Sequence, residues 1–244
     1  MEPGRTASPS LKARMAGVFQ LLEAVTATLG GVTIPGKLVV AASAAATAAN
    51  ILGHPRLFWL GFILSLLAVA FHIAWALLMY ELLKPVNQTF AALGVFVMLV
   101  GCAMQALTSL LYLAPLLILQ SGSTLSAFTP DQLQALALVF VRLNDYASQI
   151  YLVFFGAWCI LTGYLVFRSM FLPRLLGVLL AVGGLAWMTY LYPPLAHRLW
   201  PAIATASTLG ELPLELWLIV MGVNVQRWNQ RARAAAELPS WGLL

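Results

Sequence analysis

This chain is short of charge. Asp, Glu, Lys and Arg make up only 9% of its residues, where a soluble domain carries about a quarter. That scarcity excludes an ordinary soluble globule. Cysteine is scarcer still, at two residues. Cys102 and Cys159 both fall inside apolar runs, so they read as small packing residues and not as a disulfide framework or a metal pair. The histidines, His54, His72 and His197, are too scattered for a metal cluster or a haem with two axial ligands. Lys12, Lys37 and Lys84 all stand at or beyond helix ends, which excludes a retinal Schiff base. His-Glu-x-x-His, Gly-x-Ser-x-Gly, Cys-x-x-Cys and a phosphate-cradling Gly-rich loop are all missing. No cofactor or metal is therefore expected, and enzymatic activity has no motif to support it. There is no long polar segment, so 244 residues leave no room for a separate soluble domain.

What is present is apolar. Hydrophobic residues are 61% of the chain and the mean hydropathy is +0.90. The expected fold is all-α, a polytopic transmembrane bundle of six helices. Residues 1–11 read as a disordered tail, 12–222 as the membrane domain and 223–244 as a basic cytoplasmic tail. The first span runs from Met15 to about Ile34 and should end at Gly30-Gly31 and Pro35-Gly36. It is too long for a signal peptide, carries Glu23 in its middle and has no small-x-small cleavage site after it. The small-residue stretch 37–50 is too short to cross and suits a loop with a short interfacial helix. The second span, Leu57–Leu83, holds His72. The third, Phe90–Leu119, holds Gln105.

The fourth helix has a legible start. Thr129-Pro130-Asp131-Gln132 is a capping box with proline at the first helical position and an acid at the positive end of the dipole. From Pro130 to Phe167 it would be roughly 55 Å long against a hydrocarbon core of about 30 Å, so it must tilt, break or project. Arg142, Asn144 and Asp145 sit along it. Measured from Arg168, Asp145 lies about 35 Å away, near or beyond the opposite interface. The fifth span is Leu175–Tyr192. The sixth runs from about Pro201 to Met221 and carries Glu211, Pro213 and Glu215.

The formal charge of +5 collects at helix ends, which speaks of topology and not of nucleic acid. With the N-terminus in the cytoplasm, Arg5, Lys12, Arg14, Lys84, Arg168, Arg174, Arg227, Arg231 and Arg233 lie inside. Only Lys37, Arg56 and Arg198 lie outside, a strong positive-inside bias. Both termini are thus expected to be cytoplasmic. Trp59, Trp200 and Trp228 fall near the expected interfaces. Gly94 and Gly101, and Gly156 and Gly163, are each spaced seven apart and suit close helix packing.

Several segments resemble one family. They are Arg56-Leu57-Phe58, Lys84-Pro85-Val86-Asn87, Leu152-Val153-Phe154-Phe155-Gly156, Gly163-Tyr164-Leu165-Val166-Phe167-Arg168 and Phe171-Leu172-Pro173-Arg174-Leu175-Leu176-Gly177. Gly210-Glu211, Leu216-Trp217-Leu218 and Gly222-Val223-Asn224 complete the set. In this order, from about Ala13 to Trp228, they are similar to the domain of unknown function 4386 family of bacterial integral membrane proteins. The resemblance implies six membrane helices and a bacterial inner membrane, and implies no activity. The chain departs from many relatives at His72, where an acid is common, and at Met98, where arginine is common.

Ionisable residues inside a membrane are expensive and mark candidate sites. Here they are Glu23, His72, Arg142, Asp145, Glu211 and Glu215, joined by the polar Gln105 and Asn144. Glu211 and Glu215 share one helix face, and Pro213 between them removes a backbone donor. Three functions stay open. The set could hold a small solute, a proton or a cation for binding or transport. It could be structural, with Arg142 neutralising an acid, in a scaffold or assembly subunit. It could serve an embedded enzyme, with Glu211 or Glu23 as base and His72 as acid. The expected partners are the lipid bilayer, a small solute or ion, and a second copy of the chain. The basic tail, 224–237, suits an amphipathic helix on an anionic leaflet.

Overall fold

A proline at the first helical position and a hydroxyl before it are enough to start the first helix early. Ser8 Oγ accepts from the Leu11 amide at 3.2 Å, so α1 spans Pro9–Ala27 and takes in residues assigned from sequence to a disordered tail. The rest of that expected tail lies outside the described residues. The computed structural model describes residues 8–237, and among these it is helical with no strand.

α1 does not end at Gly30-Gly31. The chain passes through a π turn, Thr28–Thr33, into α2, Ile34–Leu38, so the first membrane-length segment is Pro9–Leu38. Pro35 explains the shift. It offers no N–H to the carbonyl four residues back, and the ladder moves to the wider register. Thr33 Oγ1 follows the same spacing and donates to the Thr28 carbonyl at 3.1 Å. α3, Ala44–Gly53, is capped by Ser43, whose Oγ accepts from Ala46 N at 3.1 Å. α4 spans Pro55–Leu83 and α5 spans Gln88–Leu119. Asn87 Oδ1 caps α5 by accepting from Phe90 N at 2.8 Å.

The capping box of α6, Pro130–Arg168, is present. Thr129 N donates to Gln132 Oε1 at 2.9 Å and Gln132 N donates to Thr129 Oγ1 at 3.3 Å. The helix is continuous over 39 residues, longer than a bilayer core requires. α7 is Arg174–Met188, and α8 is Pro193–Val220. α8 starts well before Pro201, because Pro193 and Pro194 occupy first-turn positions whose amides need no partner. Gly222 ends it in the left-handed conformation, φ 66°, with its amide on the Trp217 carbonyl at 3.1 Å, the cap geometry that favours glycine. α9 is Val225–Glu237.

Among the described residues, six helical segments are long and apolar enough to cross a membrane. Large apolar side chains are exposed along them, among them Phe96 at 69%, Val220 at 66% and Leu175 at 65%. Surfaces of this kind belong against lipid. The chain divides into two compact units. The terminal unit contains the chain up to Leu21, His72–Gly101 and everything from Leu152. The internal unit contains Leu22–Phe71 and Cys102–Tyr151.

In the terminal unit, glycines bring backbones together. A Cβ on Gly177 would lie 2.5 Å from the Gly163 carbonyl oxygen, and one on Gly156 would lie 2.7 Å from that of Gly184. Gly183 and Gly210 form a third such pair between α7 and α8. Gly94 makes room for the Trp158 indole, 3.7 Å from where a Cβ would stand. Glu81 binds Lys12 at 3.0 Å and Lys84 at 2.8 Å. α9 is docked by Trp228, whose indole N–H donates to the Leu82 carbonyl at 2.9 Å.

In the internal unit, Ile34, Leu38, Ile51, Phe58, Tyr112 and Leu116 form an apolar core. Phe58 and Tyr112 rings lie 4.6 Å apart. Gly61 has no side chain because the Tyr112 hydroxyl occupies the place of its Cβ. Cys102 of this unit and Cys159 of the terminal unit are both buried, and neither forms a disulfide among the described residues.

Candidate functional site

The sequence candidates separate between the units. Glu23, Gln105, Arg142, Asn144 and Asp145 belong to the internal unit; His72, Glu211 and Glu215 belong to the terminal unit.

In the terminal unit, His72 is fully buried among aromatic rings. Trp75 is 5.1 Å away, and Phe155 meets it edge to face at 5.4 Å. Phe155 lies 6.3 Å from Trp187, and the Trp187 indole N–H donates to Glu211 Oε1 at 2.8 Å. Trp75 also packs on Trp158 at 4.2 Å. Rings from α4, α6 and α7 thus run between the histidine and the carboxylate. Glu215 is buried on α8, one turn beyond Glu211, where Gly17 of α1 approaches its carbonyl. Sequence reasoning singled out the ionisable residues and missed the rings that hold them. A usable signal was present: Trp75, Trp158 and Trp187 stand inside spans, away from the interfacial belt where tryptophan is enriched.

In the internal unit, a cavity of about 300 Å³ is bounded by the π turn and α2, by α4 and α5, and by α6. Its walls are largely apolar, with Val32, Pro35, Phe58 and Pro115 among them, and the polar side chains that line it are Tyr112, Asn144 and Asp145. Each wall has a local cause. Gly31 and Gly36 leave open space where a Cβ would stand. The π turn bulges the first segment outward, a feature common at functional sites. Asn144 is oriented by its Nδ2, which donates to the Thr108 carbonyl at 2.9 Å, so its Oδ1 is the acceptor. Asp145 is exposed. Arg142, one turn earlier, is exposed too and donates to the Ala41 carbonyl at 3.5 Å. Glu23 is buried on α1. Gln105 is half-buried, and its Oε1 has no hydrogen-bond partner among the described residues.

This geometry defines a multi-pass helical membrane protein with a small, mostly apolar pocket. The chain belongs to the family described as a domain of unknown function (DUF4386), whose model matches residues 15–222. No curated protein and no solved structure matches it.

Proposed function

We propose that this protein is a solute-binding protein of the bacterial inner membrane, with both termini in the cytoplasm. Its ligand is a small apolar molecule bearing a cationic group. The observation that carries this reading is the internal-unit cavity, with largely apolar walls and Tyr112, Asn144 and Asp145 as its polar side chains. Ligand pockets combine mostly apolar walls with a few polar groups that fix orientation, and their volumes start at about 300 Å³. Asp145 supplies charge and Asn144 an oriented acceptor. Placed about 35 Å along α6 from Arg168, Asp145 suits the opposite membrane interface, where a solute enters. The positive-inside bias supports the orientation.

The test is calorimetric titration of the protein in nanodiscs with n-hexylammonium and with n-hexanol. Wild type should prefer the amine, and Asp145→Asn should weaken it about fivefold, the scale of an exposed ion pair. Asp131→Asn, at the exposed start of α6, should leave it unchanged. Equal binding of amine and alcohol, or an unaltered Asp145→Asn, sinks the proposal. Uptake of the same amine into proteoliposomes then separates transport from binding alone.

The glycine contacts of the terminal unit favour a second, structural role for Glu211 and Glu215. There the acids fix helix register and act as no binding site.

A further inference from the structure

A second cavity, of about 760 Å³, lies in the terminal unit between the α6–α7 turn and α9. Arg174, Arg227, Gln230 and Arg231 line it together with Met170, Leu172, Pro173 and Ala234. Three guanidinium groups share this space, and among the described residues no carboxylate lines it. Two of them are held by the chain itself. Arg227 donates to the Met170 carbonyl at 3.2 Å and Arg231 to the Val86 carbonyl at 3.1 Å. Arg174 rests over the Phe167 ring, 5.6 Å from its centre.

Further observations suggest that something is bound here. The Nε–H of Arg231 is buried and has no acceptor among the described residues, a donor whose lost solvation needs compensation. Met170, on the cavity wall, is held in the left-handed region at φ 59°. That costs energy for a side chain other than glycine and recurs at binding sites. The first turn of α7 also opens here. Pro173 precedes it with no side-chain cap, so the positive end of a 15-residue helix adds to the arginines.

We propose that this cavity binds a phosphate-bearing anion, with Arg174, Arg227 and Arg231 as its ligands. Planar guanidinium groups recognise phosphate oxygens through paired hydrogen bonds, and one phosphate does not use three of them fully. The volume admits a larger group, and Gln230 can bond a hydroxyl of its ester. Leu175 and Val178, one turn into α7, are exposed at 65% and 45%. They extend an apolar track from Arg174, as acyl chains attached to such a headgroup require. The proposal does not depend on the internal-unit cavity.

Native mass spectrometry of the full-length protein tests it. Phosphatidylglycerol, phosphatidylcholine and pyrophosphate are titrated separately. Saturable binding of phosphatidylglycerol over phosphatidylcholine identifies a lipid headgroup, and saturable binding of pyrophosphate identifies a soluble phosphate. Either supports phosphate recognition. Arg174→Gln, which leaves both backbone anchors of α9 in place, should weaken binding about fivefold. Gln230→Glu, which adds a negative charge to the cavity, should weaken it at least as much. Arg233→Gln, outside the cavity, should do nothing. Failure of both ligands to bind overturns the proposal. So does equal binding by Arg174→Gln, Gln230→Glu and Arg233→Gln.

Discussion

The two units share glycine contacts, Gly30 on Gly61 in the internal one, but differ in what else stands between their helices. In the terminal unit glycine faces glycine, and backbones approach as closely as atoms allow. In the internal unit Phe58, Tyr112, Pro35 and Pro115 stand between the helices, the first segment bulges through a π turn, and a cavity remains. Lipid tails are as apolar as leucine, so association inside a membrane depends on contact and not on burial. Where glycine joins α6 to α7 and α7 to α8 no room for a solute is left between the helices, and the terminal unit's own cavity lies apart from these contacts, beside α9. The internal unit gives up contact around Gly31, Pro35 and Pro115 and has room between its helices. The comparison therefore assigns rigidity to the glycine contacts of α6, α7 and α8, and binding between membrane helices to the internal unit.

The strongest way to break it is Gly177→Ala. The new methyl would lie 2.5 Å from the Gly163 carbonyl and 2.6 Å from the Phe167 amide. Both are backbone, so α6 and α7 must separate. Overpacking of this kind costs about 3 kcal/mol, read as a large fall in thermal midpoint in nanodiscs. A neutral result would mean that the glycine contacts do not set the stability of this unit.

Trp187→Phe comes next. It keeps the ring beside Phe155 and deletes one donor to Glu211, 2.8 Å away. Loss of a hydrogen bond to a half-buried acid costs about 1–2 kcal/mol. Hexylammonium binding should be unchanged. A joint loss of stability and binding would tie Glu211 to the ligand and remove the division of labour.

Gly61→Ala sharpens the internal side. Its methyl would take the place of the Tyr112 hydroxyl, and the Tyr112 ring lines the cavity. A side-chain tip yields more easily than backbone, so the stability cost should be about 1 kcal/mol. Weaker hexylammonium binding should accompany it. Unaltered binding would show that the ligand does not use this wall.

Much of the fold was legible because each signal was local. The capping box at Thr129, the proline start of α6 and the apolar spans each depend on neighbours in sequence. Gly156 and Gly163 were read as packing residues, and their contacts with Gly184 and Gly177 show why. The errors also have local causes. Gly30-Gly31 and Pro35 look like a helix end, but the loss of one donor can be absorbed by a wider turn, and whether it is depends on what packs alongside. Gly30 lies against the Gly61 carbonyl and Ser65 of α4, which no pattern within residues 28–38 announces. The sites were less legible. Counting residues to the middle of a span finds Glu211 and His72 and misses Trp187, because a ring that holds an acid looks like any other apolar residue. Asn144 and Asp145 were singled out from sequence, but the walls around them were not, for a related reason: they include glycine and proline, whose effect is the absence of side chain and of donor.

The smallest effect expected has the opposite sign. Gly36, in α2, has nothing within 4 Å of where its Cβ would stand, and its backbone is outside the positive-φ region. Alanine there gains helix propensity, up to about 1 kcal/mol, and meets no neighbour. Gly36→Ala should therefore hold or raise the thermal midpoint, although the same substitution at Gly177 lowers it. It also places a methyl group against the cavity, which Gly36 lines. A ligand that fills the space should then bind more weakly to a protein that is no less stable. A fall in stability at Gly36 would instead mean that this wall is already packed, and the contrast between the two units would lose its physical basis.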